Sequence, residues 1–277
     1  MNTNMTINEY NWKVTDGTNI YAKSWTPEKP KGVVCTVHGL GEHINRYEHV
    51  ATFFNKNGYA LCGNDHYGHG KSGGTRGHTP SYEGLLVEVD TLIAKAKNDF
   101  PGLPIYLYGH SMGGNIVLNY LFKRNPKING VIATGSAITL HENPPAALLA
   151  VGKIMRKIYP KFAQPNGLKL KFLSTDQAVI DAYVADELVH DRVTSELGLA
   201  LIEQGNWLIE TNRKTDIPLL LMHGAEDGIT SPAGTVELSK ITEGDVTLKL
   251  WKGMYHEIHN EIDKQEVLNF MLDWIKK

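Results

Sequence analysis

Cysteine is scarce. Cys35 and Cys62 are the two in the chain, too few for the disulfide framework that staples small secreted domains. Both fall in apolar, strand-like stretches and read as small buried residues, not as a disulfide or a metal pair. No apolar run reaches the ~20 residues that a membrane-spanning helix needs. Neither sign of charge dominates: 28 Lys+Arg stand against 30 Asp+Glu, for a formal net charge of −2. That balance leaves no electrostatic footprint for nucleic acid. The opening Met1-Asn-Thr-Asn-Met-Thr6 is polar and lacks the apolar centre of a secretion signal. Repeats and low-complexity segments are missing as well. What is left is a globular composition, 42% hydrophobic and 21% charged over 277 residues, enough for one large α/β domain with an insertion or for two small domains. The expected address is cytoplasmic, with peripheral visits to a lipid surface left open.

The rest of the chain is arranged around Ile105-Tyr-Leu-Tyr-Gly-His-Ser-Met-Gly-Gly114. The apolar run from Ile105 to Tyr108 has strand length, and after Asn115 the apolar residues Ile116, Val117, Tyr120 and Leu121 recur at helical spacing. Between them, Gly109-His110-Ser111-Met112-Gly113 fits the pattern G-x-S-x-G. A serine at the tip of a strained strand-to-helix turn stands clear of the sheet, and the residues two before and two after it approach backbone too closely for a side chain. The N–H of Met112 then opens a helix N-terminus toward a developing oxyanion. A second donor is expected from the valine-rich strand over 32–37. It ends in His38-Gly39-Leu40-Gly41-Glu42-His43, which presents the Leu40 N–H opposite the serine, with His38 structural in that loop.

Strands and helices alternate along most of the chain. Strands are expected over 10–15, 19–26, 32–37, 59–63, 105–108, 129–134, 217–222 and 246–251, and helices over 44–57, 81–99, 231–240 and 262–275. This rhythm predicts a mostly parallel sheet flanked by helices, an α/β-hydrolase fold. The loop Asp65-His-Tyr-Gly-His-Gly-Lys-Ser72 has poor spacing for a metal and reads as a tight structural turn. From Ala137 to Lys214 no clean strand is visible, and helical stretches over 145–159, 175–185 and 193–212 predict an inserted helical cap. The domain division is therefore 1–136 with 215–277 as the core and 137–214 as the cap. The apolar run over 145–159 packs on the core or lines a lipid entrance, and its outer side could rest on a membrane surface.

A serine hydroxyl is a weak nucleophile at neutral pH and needs a base with an orienting acid. Working residues gather at the carboxyl ends of strands. That places His256, in the loop after the last strand, as the base ahead of His259, and Asp227, in the loop after 217–222, as the acid ahead of Glu226. The chain order Ser111, Asp227, His256 is the order expected for α/β-hydrolases. No cofactor or metal is called for.

Six stretches together are far more specific than G-x-S-x-G: His38-Gly-Leu-Gly-Glu-His43 with Arg46-Tyr47, Asp65 to Ser72, Phe100-Pro-Gly-Leu-Pro104, Gly109 to Gly114, Met222-His-Gly-Ala-Glu-Asp227, and Tyr255-His-Glu-Ile-His259. Over nearly its full length the chain resembles the monoglyceride lipase group of α/β-hydrolases, whose relatives include lysophospholipases. The resemblance implies a serine carboxylester hydrolase that cleaves monoacylglycerols under a helical cap, with oxyanion donors at Leu40 and Met112. It also implies a glycerol head group lying among Glu42, Arg46 and His259, although Glu42 and Arg46 are equally spaced for an i,i+4 ion pair bracing the first helix. Tyr183 and Asp186 match a cap segment that in the family runs Asp-Pro-Leu and here runs Asp186-Glu187-Leu188. Thr230 stands where mammalian members carry a cysteine. The competing readings on the same serine are a lysophospholipase, a short-chain or aryl esterase, and a peptidase. A phosphate head group would draw on Arg46, or on Lys153, Arg156 and Lys157 of the cap. A peptide amine would draw on Asp176, Asp181 or Asp186. A catalytically dead small-ligand receptor is the alternative of a different class.

Overall fold

The computed structural model describes residues 5–277. The chain opens with a hairpin of β1 (Thr6–Lys13) and β2 (Asn19–Thr26), antiparallel and in register from Thr6↔Thr26 to Lys13↔Asn19. It then builds β3 (Val33–Val37), helix α1 (Glu48–Lys56), β4 (Ala60–Asn64), α2 (Tyr82–Asp99), β5 (Ile105–His110), α3 (Met112–Arg124) and β6 (Gly130–Thr134). After Thr134 it leaves the sheet for α4 (Ala146–Ile158), β7 (Ala163–Pro165), α5 (Gln177–Ala185), β8 (Arg192–Thr194), α6 (Ser195–Ile209) and β9 (Arg213–Lys214). It returns as β10 (Leu219–Gly224), α7 (Pro232–Ile241), β11 (Thr242–Glu243), β12 (Val246–Trp251) and α8 (Lys264–Ile275). The main sheet has the order β1-β2-β4-β3-β5-β6-β10-β12. Pairing is antiparallel for β1–β2 and β2–β4 and parallel from β4 through to β12.

The central strands are buried on both faces, which is why they read as continuous apolar runs. Period-two alternation sorts their side chains. Val33, Cys35, Val37, Leu107, Val131, Ala133, Leu219 and Leu221 pack with α2 and α3 on one face. Val34, Leu61, Tyr108, Ile132, Leu220 and Met222 pack with α1 and α8 on the other. Cys35 and Cys62 sit opposite one another in register, both buried and free, with Sγ atoms 3.6 Å apart.

Three boundaries differ from the sequence reading, each for a local reason. β1 runs over 6–13 and not 10–15, because Gly17, at φ 83°, closes a turn in which its N–H donates to Val14 O. The strand's mostly exposed side chains left little alternation to read. The strand expected over 217–222 starts at Leu219, since Pro218 has no N–H for the ladder and can only precede it. The stretch expected to hold no strand contains β7, paired antiparallel with β8, and β9, paired with β11. At two or three residues each, these are too short to show a period. Among the described residues no helix is long and apolar enough to cross a membrane.

Candidate active site

Leu40, Ser111, Asp227 and His256 all follow the carboxyl ends of parallel strands, β3, β5, β10 and β12 respectively. Ser111 sits between β5 and α3 at φ 55°, ψ −115°, a conformation that L-residues adopt only under strain of ~1–3 kcal/mol. Sequence supplies the room for it. A Cβ on Gly109 would lie 2.3 Å from Gly113 O, and one on Gly113 would lie 1.9 Å from Val37 O. The turn is pinned by the Ser111 N–H donating to Thr134 O at 2.9 Å and by Ser111 O accepting from Asn115 N–H and Ala137 N–H, each at 3.0 Å. Three elements thus meet at the serine.

The Ser111 hydroxyl lies 2.9 Å from His256 Nε2, and His256 Nδ1 lies 2.7 Å from Asp227 Oδ2. The carboxylate accepts on that side, so Nδ1 carries the proton and Nε2 is free to accept from the serine. Asp227 is buried and held from five directions. Oδ1 accepts from Ile229 N–H at 2.7 Å and Thr230 N–H at 3.0 Å. Oδ2 accepts from His256, from the Thr230 hydroxyl at 2.8 Å and from His223 Nε2 at 3.0 Å. Burial opposes its charge, but the two imidazoles outweigh burial and hold the carboxyl far below the usual range. Burial likewise opposes charging His256, yet the facing Asp227 carboxylate wins and raises the imidazole above its ordinary value. His110, beside the serine, turns away to Thr134, with Nδ1 3.2 Å from its hydroxyl. Burial and His256, 4.7 Å away ring to ring, push His110 down to about 3, so it stays neutral. Glu226, the alternative acid, instead accepts from Gly253 N–H at 2.6 Å.

The loop after β3 faces Ser111 from the side where an oxyanion is expected. The Leu40 and Met112 N–H groups donate to no acceptor among the described residues, and both residues line the cavity in front of Ser111. His38 braces the loop from beneath, donating from Nδ1 to Gly39 O at 2.8 Å and accepting from His66 N–H at Nε2, 3.0 Å away. Asp65 closes the neighbouring turn by accepting from Ile44 N–H and Lys71 N–H, at 2.8 and 2.7 Å.

Glu42, Arg46, Tyr183 and His259 are the residues expected around a head group. Glu42 is buried and accepts from Gly39 N–H at 2.5 Å, from the Tyr47 hydroxyl at 2.7 Å and from Arg46 at 2.6 Å. Arg46 also grips Glu257 through both nitrogens, at 2.6 and 2.8 Å, and its guanidinium lies 4.8 Å over the Tyr183 ring. The i,i+4 pair therefore exists, but as half of a buried clamp between the oxyanion loop and the loop that carries His256. His259 is fully buried and stacked 5.1 Å from the Tyr47 ring. Burial holds it well below its ordinary value, hence neutral. Arg46→Ala leaves two carboxylates buried without their cation, and a loss of about 3–5 kcal/mol in unfolding free energy is expected. Urea titration checks it, and a loss below about 1 kcal/mol contradicts the clamp.

The cavity in front of Ser111 has a volume of about 330 Å³. Its walls come from the elbow and from the insertion, including Leu148, Leu149 and Met155 of α4 and Leu199 and Leu201 of α6. Among the described residues, no side chain lining it carries a charge. The sequence reading did not find His223, Thr235 or Glu257. The only visible hints were that His223 stands four residues before Asp227 and Glu257 one after His256.

A serine on a strand-to-helix elbow, a buried acid and a histidine, each beyond the carboxyl end of a strand of such a sheet, define an α/β-hydrolase. Comparison with known proteins agrees. Residues 28–263 match the family model described as serine aminopeptidase, S33, and the chain belongs to that family. It is 35% identical to a monoacylglycerol lipase of Mycolicibacterium smegmatis over 98% of its own length and 97% of that protein's. It is 35% identical to an uncharacterized abhydrolase domain-containing protein of Dictyostelium discoideum, of whose length it spans 29%. Among solved structures it resembles the monoacylglycerol lipase of Paleococcus ferrophilus, with a TM-score of 0.83, 32% identity and 98% of both chains covered. The chain is a carboxylic ester hydrolase of the lipase and esterase kind.

Proposed function

We propose that the chain hydrolyses monoacylglycerols to fatty acid and glycerol through an acyl-enzyme on Ser111. The observation that carries this reading is the cavity, mostly apolar and without a charged wall among the described residues. An acyl chain suits it. A phosphate head group would need a free cation at the cavity: Arg46 is committed to two carboxylates, Arg156 is bonded to Glu196 and Glu203, and Lys153 and Lys157 are not among the lining residues. A peptide amine would need a carboxylate at the cavity, and none of Asp176, Asp181 and Asp186 is there. Asp186 is instead paired with His43.

In this mechanism His256 Nε2 takes the proton as Ser111 Oγ attacks the ester carbonyl. Leu40 and Met112 N–H groups hold the oxyanion, each donor being worth ~10²–10³ in rate. Asp227 keeps the proton of Nδ1 in place and stabilises the imidazolium. His256 then protonates the departing glycerol oxygen, and a water that it activates releases the fatty acid. Residues 137–214 act as the cap, the acyl chain lying beneath α4. The outer side of that helix carries Ile154 at 56% and Ile158 at 75% exposure, beside Lys153 and Lys157. This supports transient contact with a lipid surface during loading.

The base must be neutral to act. Because Asp227 raises His256, kcat/KM should climb with pH through a midpoint above the ordinary histidine value of about 6.5. A midpoint at or below that value would remove His256 from the role. The deciding assay is fatty-acid release from a monoacylglycerol chain-length series beside matched lysophosphatidylcholine, short aryl esters and peptide amides. Preference for long monoacylglycerols is expected. Turnover of short esters alone would leave a general esterase, preference for lysophosphatidylcholine a lysophospholipase, and amide cleavage a peptidase.

A further inference from the structure

The triad acid touches two imidazoles, and the mechanism uses one of them. His223, the fifth residue of β10, is fully buried, and its Nε2 lies 3.0 Å from Asp227 Oδ2, the same oxygen that faces His256. A carboxylate oxygen only accepts, so Nε2 carries a proton. The other ring nitrogen, Nδ1, is 2.7 Å from the hydroxyl of Thr235, itself buried on α7. A hydroxyl can donate there, which leaves the proton on Nε2 and the ring directed at Asp227. The result is a continuous line, Thr235 to His223 to Asp227 to His256 to Ser111, with every contact between 2.7 and 3.0 Å. Neither His223 nor Thr235 lines the cavity.

We propose that His223 is a positioning residue for this site: its Nε2–H anchors Asp227 Oδ2, the oxygen that faces His256, and shares the charge of that oxygen. Two consequences follow if Asp227 works as the triad acid, on which this inference rests. The carboxylate keeps one rotamer, so His256 stays aligned on Ser111. The charge on Oδ2 is divided among His256, the Thr230 hydroxyl and His223, so Asp227 draws less strongly on the proton of His256 than it would without His223. Without His223, Oδ2 is more basic toward His256, and the imidazole becomes harder to deprotonate. The other groups facing His256 are His110, 4.7 Å away ring to ring, His259, the Thr230 hydroxyl at 3.3 Å, and the carboxylates of Glu257 and Glu42, which favour its charged form. None of the titratable groups among these is altered by a change at His223.

The test compares His223→Leu, His223→Gln and Thr235→Val with wild type, each checked for folding by circular dichroism and melting. The first readout is the rate at which a fluorophosphonate probe labels Ser111 between pH 5 and 9, which needs no knowledge of the natural substrate. The second is kcat and KM on the best ester substrate. Leu fills the space without a donor. It should cut the labelling rate and kcat by about 10- to 100-fold, the factor one hydrogen bond to a charged group is worth. KM should stay within about twofold, and the acid limb should move to higher pH. Gln places an amide N–H near the lost Nε2 and should recover most of the rate and the limb. Thr235→Val should give a smaller loss with the same direction of pH shift, and it decides the matter if the Leu variant does not fold. A folded Leu variant with wild-type rates and pH profile overturns the proposal. So does a loss that raises KM as much as it lowers kcat and that Gln does not repair. A wild-type chain that the probe fails to label at Ser111 overturns the triad itself, a separate outcome from a labelled wild type indifferent to His223.

Discussion

Ser111→Ala should stop fatty-acid release, lowering kcat by about 10⁴-fold or more, while the melting temperature holds within a few degrees. The hydroxyl that His256 Nε2 faces at 2.9 Å is the only atom removed. The elbow does not depend on it, because the turn is pinned by backbone: the Ser111 N–H on Thr134 O, and Ser111 O accepting from Asn115 and Ala137. Alanine at position 111 must still occupy φ 55°, so the strain of the turn is carried over unchanged and folding sees little difference. The cavity walls and the Leu40 and Met112 N–H groups also remain, so the variant should still bind the proposed monoacylglycerol substrate and keep a small rate above water. The measurement is fatty-acid release by wild type and variant side by side, with melting curves of both. Activity surviving within tenfold of wild type would move the nucleophile to another residue.

What the sequence made legible divides along one physical line. Features set by local backbone could be read, and features set by distant partners could not. Gly109 and Gly113 mark the elbow because the clashes they avoid lie within the strand–turn–helix unit and the neighbouring β3. Asp227 and His256 could be placed because strand ends collect on one edge of a parallel sheet. The helices of the insertion were readable for a similar reason: Asp176 and Thr194 cap their own first turns, accepting from Ala178 N–H and Leu197 N–H. Arg46 shows the opposite case. Its spacing from Glu42 reveals half of its environment, but its bidentate partner is Glu257, 211 positions away, and no periodicity points there. The resemblance pointed to a head-group site, and the clamp that ties these side chains to the loop of His256 was not visible from it. The surroundings of His259 were hidden for the same reason. Two residues beyond Glu257, it turns into the stack with Tyr47 and His49, a packing choice made by α1. His223 was legible only as the residue opening His-Gly-Ala-Glu-Asp, since nothing local shows that Thr235 lies behind it.

Asp227→Asn is the sharpest probe of that hidden wiring, because the substitution preserves shape and inverts half of the hydrogen bonding. The five donors around the carboxylate are all present in the folded chain, and an amide can satisfy only some of them in either orientation. With its oxygen at the Oδ2 position, the amide NH₂ takes the place of Oδ1 and meets the Ile229 and Thr230 N–H groups, which sit 2.7 and 3.0 Å away. With its nitrogen at the Oδ2 position, it meets His256, His223 and the Thr230 hydroxyl. His256 must then move its proton to Nε2 and can no longer accept from Ser111. The first orientation strains the turn and the second silences the base. The expected result is a loss of about 10⁴-fold in kcat, with a drop of about 1–3 kcal/mol in stability for buried donors left without an acceptor. The second orientation disturbs fewer backbone groups, since Thr230 can turn its hydroxyl to Gly135 O at 2.9 Å and His223 can exchange tautomers with Thr235. The rate loss should therefore be the larger effect. A competing ring orientation of His256 would show in the nitrogen chemical shifts of ¹⁵N-labelled histidine, where wild type should carry the proton on Nδ1 and the variant on Nε2. An Asp227→Asn chain with wild-type turnover would hand the orienting role to another group. With Glu226 turned to Gly253, no other carboxylate described in the structure reaches His256 Nδ1.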